Sequence, residues 1–406
     1  MPTLKFLSGS TVVASVIIVL LSSRSMAQDT HGLKFNNLTV SPYVNLEYTY
    51  DSNVNYSRSG GSGGTLKHKE ESDTYLTIMP GVDLNYKGNE WGLSGNAWYG
   101  YDRYTDMDQL NADRYGESLE FYREAAKGWR FILGESYVKS SQNDSLADGG
   151  NGLWRDRDQF DLHGALSYQL SEKTGITLSG LYSDISYAND SSQYAPLYGF
   201  TQYTMGLEVA RKLTEKSNLL VSGSYQEYVS DGAVGINDNS SGYTLQAGFG
   251  SRATERITYR ALVGASMLDY AGSDQSVGAT YSLSGSWVIN KKWAATIMGS
   301  SNFQPSESEA NQAIQVYTLS SGLTYRPMRK LTTRFDVAWR REENQETDGA
   351  STDLTLDRYS VRARADYELM RYMTVYGGVE YEDTVSDDKA SEFDRYRGSL
   401  GLSFRY

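Results

Sequence analysis

Val361-Arg362-Ala363-Arg364-Ala365-Asp366-Tyr367-Glu368-Leu369 decides how the whole chain is read. Its odd positions are apolar or aromatic, and its even positions are all charged. A strand sends alternate side chains to opposite faces, so this order separates cleanly on a strand; a helix would mix the two sets around its circumference. The last segment repeats the pattern, with Tyr396, Gly398, Leu400, Leu402, Phe404 and Tyr406 on one face and Arg395, Arg397, Ser399, Ser403 and Arg405 on the other. So does 331–341, where Leu331, Phe335, Val337 and Trp339 oppose Arg334, Asp336 and Arg340. Beyond Thr39, period two dominates.

The segments are joined by two alternating kinds of connector. Short ones fall at 87–90, 125–128, 171–174, 214–217, 253–256, 290–292, 327–330 and 370–371. Longer polar ones fall near 57–71, 102–113, 142–156, 189–199, 231–240, 271–276, 304–313, 342–354 and 386–392, none above 15 residues. Eight short and nine long connectors join 18 strands, and one merged hairpin would make the count 16. Tight turns on one side, long loops on the other and apolar/polar dyads describe a transmembrane antiparallel up-and-down β-barrel, an all-β fold. Lipid cannot satisfy backbone N–H and C=O groups, so a sheet in hydrocarbon has to close on itself. Trp91, Trp129, Trp287, Trp293, Tyr325, Tyr367 and Tyr372 lie beside the short turns, where an interfacial girdle belongs.

Composition agrees. The chain has 406 residues with 33 Tyr, 39 Gly, 6 Pro and no Cys, and a formal net charge of −12. A mean hydropathy of −0.52 with no long apolar run after residue 27 excludes a helical membrane bundle, which needs about 20 apolar residues per span. A soluble sandwich would bury Val, Ile and Leu, whereas this apolar face is rich in Tyr and Gly. The acidic balance argues against nucleic acid as a partner. Without cysteine there is no thiolate metal site, no cysteine nucleophile and no disulfide. At the N-terminus, Lys5, the apolar stretch 6–21 and Ser25-Met26-Ala27 read as a cleaved secretory signal covering 1–27. The expected organisation is that signal, a short periplasmic segment at 28–39 and a barrel over 40–406. The segment 28–39 is too short for a plug or for periplasmic docking domains.

If the aromatic face meets lipid, the other face lines a lumen. The residues expected there are Glu47, Asp161, His163 and Arg260, then Arg334, Asp336 and Arg340. Arg362, Arg364, Asp366 and Glu368 follow, and then Glu380, Arg395 and Arg397. So many inward charges require water or dense ion pairing inside, and eighteen strands make a barrel wide enough for an aqueous channel. No inward-folding loop is evident, so any narrowing is expected from wall side chains.

Catalysis has little support. His163 is the one histidine on the inward face, and Ser167 lies about 13 Å along the same strand, too far for a nucleophile–base pair. His31 sits near the mature terminus and His68 in the first long loop. The loop clusters Asp102/Asp106/Asp108, Asp231/Asp238 and Asp383/Asp387/Asp388 lack EF-hand spacing. The glycine run 60–64 has no strand-to-helix transition after it and is not a phosphate cradle. No metal, no cofactor and no enzymatic activity are expected.

The opening Pro42-Tyr43-Val44-Asn45-Leu46-Glu47-Tyr48-Thr49-Tyr50-Asp51-Ser52-Asn53-Val54 and the later Tyr75-Leu76-Thr77-Ile78-Met79-Pro80-Gly81-Val82 bring a family into view. They resemble the first hairpin of the outer-membrane β-barrel porins of Gram-negative bacteria that are linked with exopolysaccharide export. The Tyr-Asp-x-Asn stretch, the Pro-Gly in the next strand and the terminal aromatic carry the resemblance, which covers essentially 40–406. It implies residence in the bacterial outer membrane among lipid and lipopolysaccharide, and polysaccharide or oligosaccharide as the solute. It also implies an assembly signal in Leu402, Phe404 and Tyr406, read by the outer-membrane assembly machinery; Tyr406 stands where Phe is commoner. Two functions remain open at this level: a water-filled pore for polar solutes, and a structural or adhesive barrel acting through its acidic outer loops without an open pore.

Overall fold

The computed structural model describes residues 32–54, 70–125, 128–140, 156–188, 199–230, 239–270, 275–305, 313–345, 355–387 and 392–406. The expected signal segment, His31, His68, the glycine run 60–64 and the acidic residues Asp231, Asp238 and Asp388 lie outside these ranges.

A short strand, β1 (Leu33–Phe35), turns back at Asn36 onto β2 (Leu38–Asp51). Asn36 takes a φ of 54°, a left-handed conformation that its short polar side chain tolerates. The chain continues through β3 (Asp73–Lys87), β4 (Trp91–Tyr104), β5 (Ala112–Ala125), β6 (Trp129–Ser140), β7 (Arg157–Gln169) and β8 (Thr174–Tyr187). Then come β9 (Phe200–Lys212), β10 (Ser217–Ser230), β11 (Ser240–Thr254), β12 (Ile257–Tyr270), β13 (Ser276–Val288) and β14 (Trp293–Pro305). The last five are β15 (Ala313–Met328), β16 (Leu331–Gln345), β17 (Thr355–Met370), β18 (Met373–Ser386) and β19 (Phe393–Arg405). Each pairs antiparallel with its sequence neighbours, and β19 returns to β2, with Arg397 opposite Asp51 and Arg405 opposite Tyr43. β2 to β19 therefore form a closed barrel of 18 strands. It has no edge, which is what lipid demands.

The outer surface explains why the sequence alternates. Val263 and Leu400 are 68% and 64% exposed, values that belong in hydrocarbon and not in water. Aromatic pairs on registered neighbours bound this band below: Tyr86 on Trp91 at 4.3 Å, Trp129 on Tyr168 at 4.2 Å and Trp293 on Tyr325 at 4.0 Å. A second belt, toward the long loops, is built from tyrosine: Tyr182–Tyr203, Tyr225–Tyr243 and Tyr381–Tyr396, with centroids 4.6 to 5.3 Å apart. Amphipathic rings suit the interface at both heights. Much of the glycine is explained on the inner side. Tyr43 lies on Gly81, Tyr122 on Gly92 and Tyr376 on Gly401, each an opposed pair where any Cβ would collide with the ring.

Three expectations need correction. Strand β4 runs to Tyr104 and β5 starts at Ala112, so the loop expected over 102–113 is shorter. β16 likewise continues to Gln345, beyond the expected loop start at 342. The connector between Asp51 and Asp73 exceeds the 15-residue ceiling. The first two share a cause: above the membrane, outward positions need not be apolar, so hydropathy stops marking strand ends before the hydrogen-bond ladder stops. The third runs the other way, the ladder ending at Asp51 before the expected loop start at 57.

A fourth departure is in the wall itself. The β13–β14 ladder covers only Ser282–Val288 against Ala294–Ser300. Above it, side chains replace the backbone bonds: Tyr281 N–H donates to Ser301 Oγ (3.1 Å), Thr280 hydroxyl to Ser301 O (2.5 Å) and Gln315 Nε2 to Ala279 O (2.9 Å). β14 and β15 stay paired up to Pro305 and Ala313, so their upper ends turn inward together. Alternation from Ile297 would send Phe303 outward. It is instead 1% exposed and packed with Ile185, Phe200, Tyr228 and Leu268. Narrowing thus comes from an inward-bent hairpin end as well as from wall side chains. Next to it the sheet is creased: a Cβ at Gly248 or Gly264 would lie 2.0 Å from Ala261 O or 1.8 Å from Leu245 O, so only glycine fits there.

Candidate functional site

Residues opposed across a ladder share a face, so the register can be followed around the barrel. Starting at Glu47, it collects Asp161 and His163 on β7, Arg260 on β12, and Arg334, Asp336 and Arg340 on β16. It then reaches Arg362, Arg364, Asp366 and Glu368 on β17, Glu380 on β18, and Arg395 and Arg397 on β19. All lie on the concave face. Arg260 shows the concavity directly: its guanidinium reaches from β12 to Glu208 on β9, with Nη1 to Oε1 at 2.9 Å.

On β16 to β19 the charges form shared units. Glu380 lies between Arg362 (2.6 Å) and Arg397 (2.7 Å). Asp366 lies between Arg364 (2.9 Å) and Arg334 (3.4 Å). In each unit two guanidiniums share one carboxylate. The acidic member lies against the wall and the arginine faces the open interior: Arg362 is 56% exposed and Glu380 15%, Arg334 50% and Asp366 18%. Arg364 also sits over the Tyr376 ring at 4.0 Å, a cation–π contact that holds it flat. Arg340 pairs with Glu342 at 2.5 Å. Asp336 is exposed, and among the described residues no ion pair engages it. Glu47 accepts a bond from Thr49 hydroxyl at 3.3 Å.

Arg395 behaves differently. It is 5% exposed, and its Nε lies 2.8 Å and 3.0 Å from the two oxygens of fully buried Asp51, while Nη2 closes the fork. This pair spans the β19–β2 closure. His163 lies across Gly134 with Nε2 3.9 Å from Glu120, and Ser167 instead shares a 3.0 Å bond with Thr177. No serine–histidine pair forms there.

The structure also adds inward groups that sequence reading missed. Arg114 pairs with Asp102 at 2.8 Å, and Asp102 accepts from Thr77 hydroxyl at 2.5 Å. Arg358 faces Glu382 at 3.4 Å. Asp102 had been placed in a loop; continuing the alternation two residues further would have found it. Asp106 is held elsewhere, its N–H donating to Asp73, so the loop acids Asp102, Asp106 and Asp108 do not converge. Among the described residues no group of three or more metal-capable side chains occurs.

The other half of the wall is mostly uncharged, apart from Arg260 and its partner Glu208. Strands β10 to β14 carry Gln226, Ser240, Gln246, Ser266, Thr280, Ser282, Ser284 and Ser300 inward, all buried. Farther round, at the long-loop end of β7 to β9, several polar atoms have no partner: both amide atoms of Gln159 and Oε1 of Gln202. Gln159, Ser183 and Gln202 are each 1% exposed. A buried polar group left unsatisfied costs about 1–3 kcal/mol, so this concentration calls for an occupant.

A family model described as "Putative beta-barrel porin 2" matches residues 199–406. No curated protein matches. Among solved structures, the outer membrane protein OpdK of Pseudomonas aeruginosa aligns with a TM-score of 0.46 and 11% identity, over 90% of this chain and 99% of that one. The outer membrane channel DcaP of Acinetobacter baumannii gives 0.43 and 11%, over 93% and 100%. The siderophore receptor PirA of Pseudomonas aeruginosa gives 0.43 and 9%, over 92% and 81%.

Proposed function

The chain belongs to the putative beta-barrel porin 2 family, and from that premise we propose that the inner face of its barrel is the wall of a water-filled path for polar solutes. The protein is a porin-like channel of the bacterial outer membrane. Within that description, the path follows β16 and β17, where the inward Arg334, Arg362 and Arg364 keep contact with solvent. The observation that carries this reading is the layering of charge. Guanidiniums stand at the open interior with carboxylates behind them, so a passing solute meets a positive surface although the charges nearly balance. Small anions are therefore favoured over cations. Oligosaccharide or polysaccharide is the solute class, supported by the family resemblance and by the hydroxyl- and amide-rich wall of β10 to β14. No catalytic step is assigned to any residue.

Replacing Arg362 and Arg364 together by Glu is expected to move the reversal potential in a salt gradient toward cation preference, with assembly intact. An unmoved reversal potential removes both residues from the ion path. On the same reading the aromatic belts meet outer-membrane lipid and lipopolysaccharide, and Leu402, Phe404 and Tyr406 form the signal for the assembly machinery. Leu402 and Phe404 are on the outward face, and Tyr406 is 65% exposed beyond the end of β19. Deleting 404–406 should slow insertion in cells several-fold, measured by pulse-chase; wild-type kinetics would dismiss the signal.

A second reading has one observation in its favour. The inner wall of β10 to β14 is buried, as in a barrel filled with its own side chains and acting through its loops. Single-channel recording of the folded protein in planar bilayers separates the two: stepwise conductance supports the pore, and a silent bilayer supports the filled barrel.

A further inference from the structure

We propose that the inner wall of β7 to β9, at the long-loop end, is a binding subsite for an uncharged, hydroxyl-bearing saccharide unit, formed by Gln159, Ser183 and Gln202. The proposal rests on the reading of the lumen as a solute path and adds β7 to β9 to the wall that the solute touches.

The register lays the site out as a grid. One row runs Asp161, Ser183, Gln202 and Tyr228, each opposite the next on adjacent strands. The row above it runs Gln159, Ile185 and Phe200. Adjacent strands stand about 4.8 Å apart, so the polar row offers hydrogen-bonding groups at intervals a single sugar ring spans. Phe200 and Tyr228 meet edge to face at 5.8 Å and put apolar surface beside the amides. A pyranose carries both features, a rim of hydroxyls and faces of C–H groups.

The unsatisfied atoms point to the ligand's chemistry. Gln159 has a donor and an acceptor free and Gln202 an acceptor, because its Nε2 already donates to Thr204, while the Ser183 hydroxyl is shared with the Asp161 carboxylate opposite it. A hydroxyl both gives and takes a hydrogen bond, so it answers all of these, whereas a carboxylate or an ammonium answers only half. Charge agrees. On the same face, Arg157, stacked on Tyr187 at 5.7 Å, and Asp161 contribute one of each sign. Phe303, carried inward by the bent β14–β15 end, packs on Ile185 and Phe200 and closes the apolar side.

The test uses the full-length folded protein. Maltohexaose is titrated calorimetrically into detergent-solubilised wild type, Gln159→Leu and Gln202→Leu, and the same preparations are recorded in planar bilayers. Leucine keeps the shape and removes the hydrogen bonds. Each variant is expected to weaken maltohexaose binding by about tenfold or more, with an oligoglucuronate binding no tighter than the neutral probe. Equal affinities in wild type and both variants, or ordered waters on the amides that the sugar does not displace, would overturn the subsite. Should either leucine variant fail to fold, Ser183→Ala serves in its place, with a loss of affinity expected and an unchanged affinity counting against the site. Variant-sensitive binding without conductance sinks the pore and keeps the subsite. Conductance without such binding does the reverse.

Discussion

Asp51→Ala is expected to destabilise the barrel by about 3–5 kcal/mol, the usual loss when one member of a buried ion pair is removed. Asp51 is fully buried and holds Arg395 through a fork of hydrogen bonds, and it also accepts the Asn53 N–H at 3.1 Å. Removing the carboxylate leaves a guanidinium at 5% exposure without the carboxylate its hydrogen-bond fork engages. The position amplifies the effect, since this pair ties the last strand to the first, a contact 344 residues apart in sequence. Closure has to overcome the largest loop entropy in the molecule, and the pair contributes only once closure is made. Urea unfolding in lipid vesicles measures the loss. The paired replacement Asp51→Leu with Arg395→Met should recover most of it, because a packed apolar pair replaces two buried charges. As a control, Arg362→Ala opens a pair whose arginine is more than half exposed, and the loss there should stay within about 1 kcal/mol. If Asp51→Ala costs no more than this control, the closure does not depend on the buried pair.

The second large effect concerns the other face. Ala363→Arg should cost about 2–4 kcal/mol, the penalty for a cation on the lipid face near the bilayer midplane. Ala363 lies midway between the outward tyrosines Tyr359 and Tyr367, one from each belt, and opposite Phe335 and Val379 on the neighbouring strands. Its neighbour Arg362 carries the same charge one position along the strand and is tolerated because it points to the interior. The contrast is the measurement: folding yield and unfolding midpoint in vesicles, Ala363→Arg against wild type. A variant that folds as readily as wild type would mean this face does not meet hydrocarbon.

How far the architecture was legible follows from what is local. The alternation of 361–369 is a property of one strand, because facing is set by the pleat and needs no partner. The short connectors were legible for the same reason, being charged or turn-prone breaks in that alternation. Asp102 and Glu342 were misplaced because both lie above the hydrocarbon, where alternation loses its apolar half. β1 went unseen because Leu33–Phe35 is too short to show a period. The tyrosine belt escaped notice since tyrosine is scattered through the chain, and its height becomes visible only when strands are set side by side.

The sequence by itself determined the fold class, an even strand count of 18 or 16, which side chains share the concave face and which end carries the long loops, because each is written in a period of two and in connector length. Only the tertiary structure decided which charges meet. Glu380 lies between Arg362 and Arg397 because three strands stand in one register, and no single strand contains that fact. The inward turn of Phe303 was decided in the same way. It depends on β13 and β14 exchanging ladder bonds for the side chains of Ser301, Thr280 and Gln315, and on distant strands supplying an apolar socket to receive the ring. Alternation assigns a residue to a face; where that face bends depends on whether the neighbouring backbone finds its hydrogen bonds in the ladder or elsewhere.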